Sequence, residues 1–135
     1  MSRNRDEGLK GNEKIEQAIA QLQQDPTQEQ LSHTLTVIRK RMREHGQFVV
    51  AVEPNPGGPL KLGTVRTADG ATWLYAFTSF EEELLGANPL KSTFLSGIDQ
   101  LFETALSLPQ VQGVILNPWR RTLQLDKELI RIIRP

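Results

Sequence analysis

Apolar residues recur along this chain with two different periods, and the switch between them divides it. From Glu13 onward, Ile15, Ala18, Ile19 and Leu22 fall at helical spacing. They predict a short amphipathic helix that ends before Pro26, with Asn12 as its cap. Asp25-Pro26-Thr27-Gln28 then offers an N-cap, a proline at the first helical position and a glutamine at the third. Leu31, Leu35, Ile38 and Met42 continue the stripe, so a second helix is expected to run to about His45 and stop at Gly46. Residues 1–11 are polar, contain Gly8 and Gly11 and carry no apolar period. They read as a flexible arm outside a single domain spanning residues 12–135.

After Gly46 the period changes. Phe48-Val49-Val50-Ala51-Val52 is β-rich and fits a strand buried on both faces. Proline and glycine crowd residues 54–59, which predicts an exposed connection. Runs at 60–66 and 71–77 flank Ala68-Asp69-Gly70, a strong hairpin signal. Ser79 stands before Phe80-Glu81-Glu82-Glu83, so its hydroxyl should cap a short helix, Glu82 should complete a capping box, and Gly86 should end it. Ser96 reads as the cap of a longer helix whose stripe is Ile98, Leu101, Phe102, Ala105 and Leu108, closed by Pro109. Residues 111–116 read as a buried strand broken by Asn117-Pro118, and 122–125 as a short strand. Asp126 then caps a final helix carrying Leu129, Ile132 and Ile133. Together these elements predict an α+β fold: a small mixed β-sheet of about five strands packed with helices, led by an N-terminal helical pair.

Composition narrows the function classes. Sixteen basic residues balance sixteen acidic ones, so the chain lacks the net positive charge of a general nucleic-acid binder, and no nucleic-acid partner is expected. The same zero charge removes long-range repulsion between copies, and a small sheet leaves edges to cover; both point to a homodimer. The sequence has no cysteine, which excludes disulfides, thiolate nucleophiles and cysteine-based metal sites. No apolar run approaches the roughly 20 residues needed to cross a bilayer, and the first residues lack a secretory pattern. The expected location is the cytoplasm, with no membrane partner.

Candidate chemistry is sparse. His33 and His45 lie twelve positions apart on one predicted helix, too far apart to share a metal ion, so no metal site is expected. Ser79 lacks the G-x-S-x-G elbow of a nucleophilic serine, and capping accounts for it. Glu81, Glu82 and Glu83 point in different directions around a helix, as a solvated face does. The glycines near residue 57 lack the Lys-Ser/Thr that a phosphate-cradling loop needs. Arg39, Lys40, Arg41, Arg43 and His45 cluster where a helix C-terminus favours positive charge. Trp119-Arg120-Arg121 combines residue types enriched at protein interfaces, although Trp119 could equally fold down over the sheet edge.

One topological argument selects a site. If the strands ending at Phe77 and Leu116 are parallel neighbours joined by a right-handed crossover, Thr78-Ser79 and Asn117-Pro118-Trp119 emerge at one sheet edge, where open sheets bind ligands. The Asn117 amide would there serve either a ligand or the main chain of the facing turn. The candidate binding residues are Thr78, Ser79, Glu82, Asn117, Trp119 and Arg120. None of them forms an evident catalytic constellation, and no cofactor is implied. A non-enzymatic protein-interaction or regulatory module with an unidentified protein partner leads. The alternative is a small-metabolite-binding protein or an enzyme using the Thr78/Ser79/Asn117 crevice.

Phe77-Thr78-Ser79-Phe80-Glu81 after a strand, and Leu116-Asn117-Pro118-Trp119 leading into Leu123-Gln124-Leu125-Asp126, together resemble the N-terminal domain of the SseB (serine-sensitivity-enhancing) family. The resemblance covers residues 15–133 through the order and spacing of its motifs. It implies a helical start, strands, an acidic FTS-like element, a helix, and a strand ending in Asn-Pro before a closing helix. Longer members of that family carry a second domain after this one. The resemblance implies no catalytic residues.

Overall fold

Two amphipathic helices lead the fold because their apolar residues form single stripes. In α1 (Glu13–Gln24) the buried residues are Ile15, Ala18 and Ile19; in α2 (Gln28–Arg43) Leu35 and Ile38 face the same core. Each fully buried isoleucine contributes about 1.5–3 kcal/mol relative to leaving it exposed. The computed structural model describes residues 7–53, 61–83 and 93–134. Among these, strands β1 (Gln47–Glu53), β2 (Lys61–Leu62), β3 (Thr64–Arg66) and β4 (Thr72–Phe77) precede the short helix α3 (Phe80–Glu83). Then come β5 (Thr93–Gly97), α4 (Ile98–Ser107), β6 (Gly113–Leu116), β7 (Leu123–Asp126) and α5 (Lys127–Ile133). The fold is α+β with an N-terminal helix pair, as the periodicity predicts.

The sheet is mixed. Val49 and Val50 pair antiparallel with both β4 and β5, so those strands flank β1. Ala76 of β4 faces Val50 on one side and Leu116 on the other; β4 and β6 run parallel, and β7 returns antiparallel to β6. The segment formed by β2 and β3 bridges the fork between β1 and β4. Its first half pairs with Val52 and Glu53 of β1 and its second with residues 72–74 of β4. Gly63 makes the hop: its N–H donates to the Ala51 carbonyl at 3.0 Å, and a Cβ there would meet the Tyr75 ring at 3.0 Å. The tight turn at Ala68-Asp69-Gly70 closes the β3–β4 hairpin where Asp-Gly predicts it. The proline-rich connection at 54–59 and the stop at Gly86 lie outside the described residues.

Phe48 and Val50, Leu74 and Ala76, and Val114 and Leu116 point to the helical face, where they pack with Ile19, Ile38, Leu101, Phe102 and Ile130 in one core. The alternate residues Val49, Trp73, Phe77 and Ile115 lie on the opposite face and are also buried. Burial on both faces explains why β1 and β6 read as continuous apolar runs rather than alternating ones.

Four local expectations are corrected. Asn12 occupies the cap position of α1 but has helical backbone angles and makes no capping bond. The second helix begins two residues later than expected, with Thr27 as its cap accepting from Gln30 N–H at 3.1 Å, because Asp25 closes the last turn of α1 through its own N–H. Ser96 lies in β5 rather than capping a helix; Gly97 takes the N-cap position of α4. In α5, Ile130 and Ile133 are buried while Ile132 is exposed, so the apolar face is rotated from that expected. Asp126 caps α5 as expected, accepting from Leu129 N–H at 2.9 Å.

Candidate functional site

The parallel register of β4 and β6, Leu74 opposite Val114 through Ala76 opposite Leu116, brings Thr78 and Asn117 out at one edge. Asn117 N–H donates to the Ala76 carbonyl at 2.8 Å, extending the ladder by one bond. Its backbone then turns at φ +52, a left-handed conformation that asparagine tolerates better than most residues. The side chain faces back across the gap. Oδ1 accepts from Thr78 N–H at 2.9 Å, and Nδ2 donates to Thr78 Oγ1 at 3.1 Å. The threonine hydroxyl has one proton, and Glu16 Oε2 at 2.5 Å receives it, since a carboxylate can only accept. Thr78 and Asn117 are both fully buried.

Ser79 accepts from Glu82 N–H at 3.2 Å, the expected capping contact of α3. The expected capping box does not close. Glu82 instead reaches across to the loop after β6, where its Oε2 accepts from Arg120 Nη2 at 2.7 Å, an ion pair stronger than a return bond to a backbone amide. The Glu82 side chain is 2% exposed, against 52% for Arg120. Through this hydrogen bond and its charge, Glu82 raises the Arg120 pKa, with smaller contributions from the charges of Glu16 and Glu81. The Trp119 ring packs 6.2 Å from that of Phe77, while 43% of the residue stays exposed.

Residues outside the six candidates complete the junction. Asn12 donates through Nδ2 to the carbonyls of Thr78 (3.0 Å) and Gln47 (2.8 Å) and accepts through Oδ1 from Arg41 Nε at 3.0 Å. Arg41 belongs to the basic run read as a helix-end cluster. It is buried, donating also to the Gly8 carbonyl at 2.9 Å and to Glu44 at 3.0 Å. Arg121 approaches Glu16 at 3.6 Å and Glu82 at 3.9 Å. The only signal for Glu16 is its position beside Ile15 and one turn before Ile19, at the border of the α1 stripe.

A cavity of about 200 Å³ opens over this junction, lined by Glu16, Thr78, Ser79, Glu82, Arg120 and Arg121 among others. Asn117 and Trp119 do not line it. Among the described residues, no three His, Asp or Glu side chains converge as metal ligands, and no helix is long and apolar enough to cross a membrane. Compared with known proteins, the chain matches no family model, no curated protein and no solved structure.

Proposed function

We propose that this chain is a non-enzymatic recognition module of the SseB N-terminal kind, acting in the cytoplasm, that engages a protein partner through the loop at Trp119 and Arg120 and the cavity beside it. The observation that carries this reading is the pairing of an exposed aromatic with a tethered loop. Trp119 is 43% exposed while the adjacent Arg120 is held at 2.7 Å by the buried Glu82. A preorganised tryptophan beside an arginine is the composition of an interface anchor, because little freedom remains to be lost on binding. The hydroxyl chemistry also favours recognition over catalysis. Ser79 Oγ accepts a helix-capping bond, and Thr78 Oγ1, although bonded to Glu16, is fully buried.

Pull-down with the full chain as bait tests the reading. The expected result is a partner retained by the wild-type chain and lost with Trp119→Ala; equal retention by the variant overturns it. The cavity of about 200 Å³ favours one further reading, a small-metabolite binder or enzyme using Ser79 and its neighbours. Under that reading a metabolite raises the melting temperature saturably, and turnover disappears with Ser79→Ala. A homodimer belongs to the same proposal, supported by zero net charge and by the edge strand β5, whose Phe94 is 44% exposed.

A further inference from the structure

The carboxylates at the cavity are incompletely satisfied. Glu16 Oε2 is taken by the Thr78 hydroxyl and Glu82 Oε2 by Arg120. Among the described residues, Glu16 Oε1 accepts no hydrogen bond, its nearest cation being Arg121 Nη1 at 3.6 Å. Glu82 Oε1 is buried and, among the described residues, has no hydrogen-bond partner. Arg121 Nη1 stands 3.9 Å from Glu82 Oε2, so it lends charge to both carboxylates at distances beyond the roughly 2.7–2.9 Å of a charge-assisted hydrogen bond. Burying the Glu82 oxygen without a donor is costly, and a further donor that reaches this carboxylate would relieve the cost.

The charge balance selects the kind of donor. Glu13, Glu16, Glu81 and Glu82 line the cavity against Arg120 and Arg121, which leaves it net acidic. Its volume of about 200 Å³ well exceeds the roughly 30 Å³ that one water occupies in the liquid, leaving room for an aliphatic stem behind a charged head. We propose that this cavity receives a primary ammonium or guanidinium group, carried by a free aliphatic amine or by a lysine or arginine side chain of a partner, which displaces Arg121 and donates to Glu16 Oε1 and to the Glu82 carboxylate. Arg121 is its resident competitor. An ammonium group brings three donors and a guanidinium five, enough to serve both carboxylates.

The inference rests on reading this junction as a recognition surface, and its test separates the two. Amide chemical shifts of the isotope-labelled full chain are followed during titration with blocked tripeptides carrying Lys, Arg or Gln between glycines, and with n-butylamine. The Lys and Arg peptides should shift the amides of Thr78, Ser79, Glu82 and Arg120 saturably, and the Gln peptide should not. Glu16→Gln and Glu82→Gln should each weaken that binding roughly tenfold or more, through loss of a charged acceptor. Arg121→Ala should tighten it by removing the competitor. Should Glu82→Gln fail to fold, Glu16→Gln and Arg121→Ala carry the test. Saturation by n-butylamine as well as the peptides identifies the free amine as sufficient, and saturation by the peptides alone assigns the group to a partner's side chain. Equal saturation by the Gln peptide, unchanged affinity in Glu16→Gln, weakening in Arg121→Ala, or no saturation by any cationic probe at millimolar concentration overturns the inference. A partner still lost with Trp119→Ala would leave the recognition reading standing without it.

Discussion

Asn117 and Thr78 exchange hydrogen bonds across the ends of two parallel strands, Oδ1 accepting from the Thr78 N–H at 2.9 Å and Nδ2 donating to its hydroxyl at 3.1 Å. Both residues are fully buried, so losing either bond leaves a buried polar group without its partner. Asn117→Ala therefore leaves a buried N–H without its acceptor and places a Cβ-bearing residue at φ +52 without the local side-chain bonding that favours asparagine there. The expected loss is about 2–4 kcal/mol of unfolding free energy by urea denaturation. Asn117→Gly removes the backbone strain but not the lost bonds and should cost less, about 1–3 kcal/mol.

Gly113 begins β6 directly against the backbone of β7. A Cβ built there would lie 2.0 Å from the Leu125 carbonyl oxygen and 2.8 Å from the Asp126 Cα, and both obstacles are backbone. Gly113→Ala should destabilise the fold by about 3 kcal/mol, at the upper end of overpacking costs, with faster amide exchange along β6 and β7. Gly97→Ala provides the contrast. Its Cβ would meet only the Gln100 side chain at 4.0 Å, and the change should stay within about 1 kcal/mol in the same denaturation experiment.

The elements legible in the sequence are those whose signal is local. The stripes of α1, α2 and α4, the apolar runs of β1 and β6 and the Asp-Gly turn each lie within one stretch of chain. The strand β5 is not legible. Thr93 to Gly97 has partly buried positions and an exposed Phe94, and it holds its place by pairing with β1 some 45 residues away, while Ser96-Gly97 before an apolar stripe imitates a helix cap. The same contrast divides the candidate site. Thr78 and Asn117 could be brought together from the order of strands alone, because parallel neighbours release their chains at one edge. Asn12, Glu16 and Arg41 could not, since how α1 and α2 pack over that edge depends on tertiary contacts that no short motif encodes. Asn12 looked like a cap because asparagine before an apolar period usually is one; its amide is spent instead on carbonyls 35 and 66 positions away.

Asp69 should titrate below an ordinary aspartate. The Thr67 hydroxyl lowers its pKa most, followed by the Ala71 N–H, which donates to Oδ1 at 3.1 Å. A carboxylate whose folded pKa lies below its unfolded value adds stability that is present above the unfolded pKa and is lost as pH falls through the folded one. Carbon-detected NMR titration should place the Asp69 midpoint below the usual value of about 3.9, and Thr67→Val should move it upward. A midpoint unchanged by Thr67→Val would show that the turn's backbone alone sets it.

Two arginines of α2 reach both ends of the described chain. Arg41 donates to the Gly8 carbonyl at 2.9 Å, and Arg39 donates to the carbonyls of Ile132 and Ile133 at 2.5 and 3.2 Å. The second helix thereby works as a clasp whose hooks are guanidinium groups and whose eyes are main-chain oxygens. Hydrophobic patterning would place the outer limit of the folding unit at Asn12, where the apolar period starts. Trimming the chain there would take away one of the oxygens that balance the buried Arg41, so the unit able to stand alone extends past the last residue that contributes to the core. At the N-terminal side the limit is set by polar closure and not by greasy content, whereas at the other side the core itself reaches Ile133; fusion junctions or insertions fare best outside residues 8 and 133.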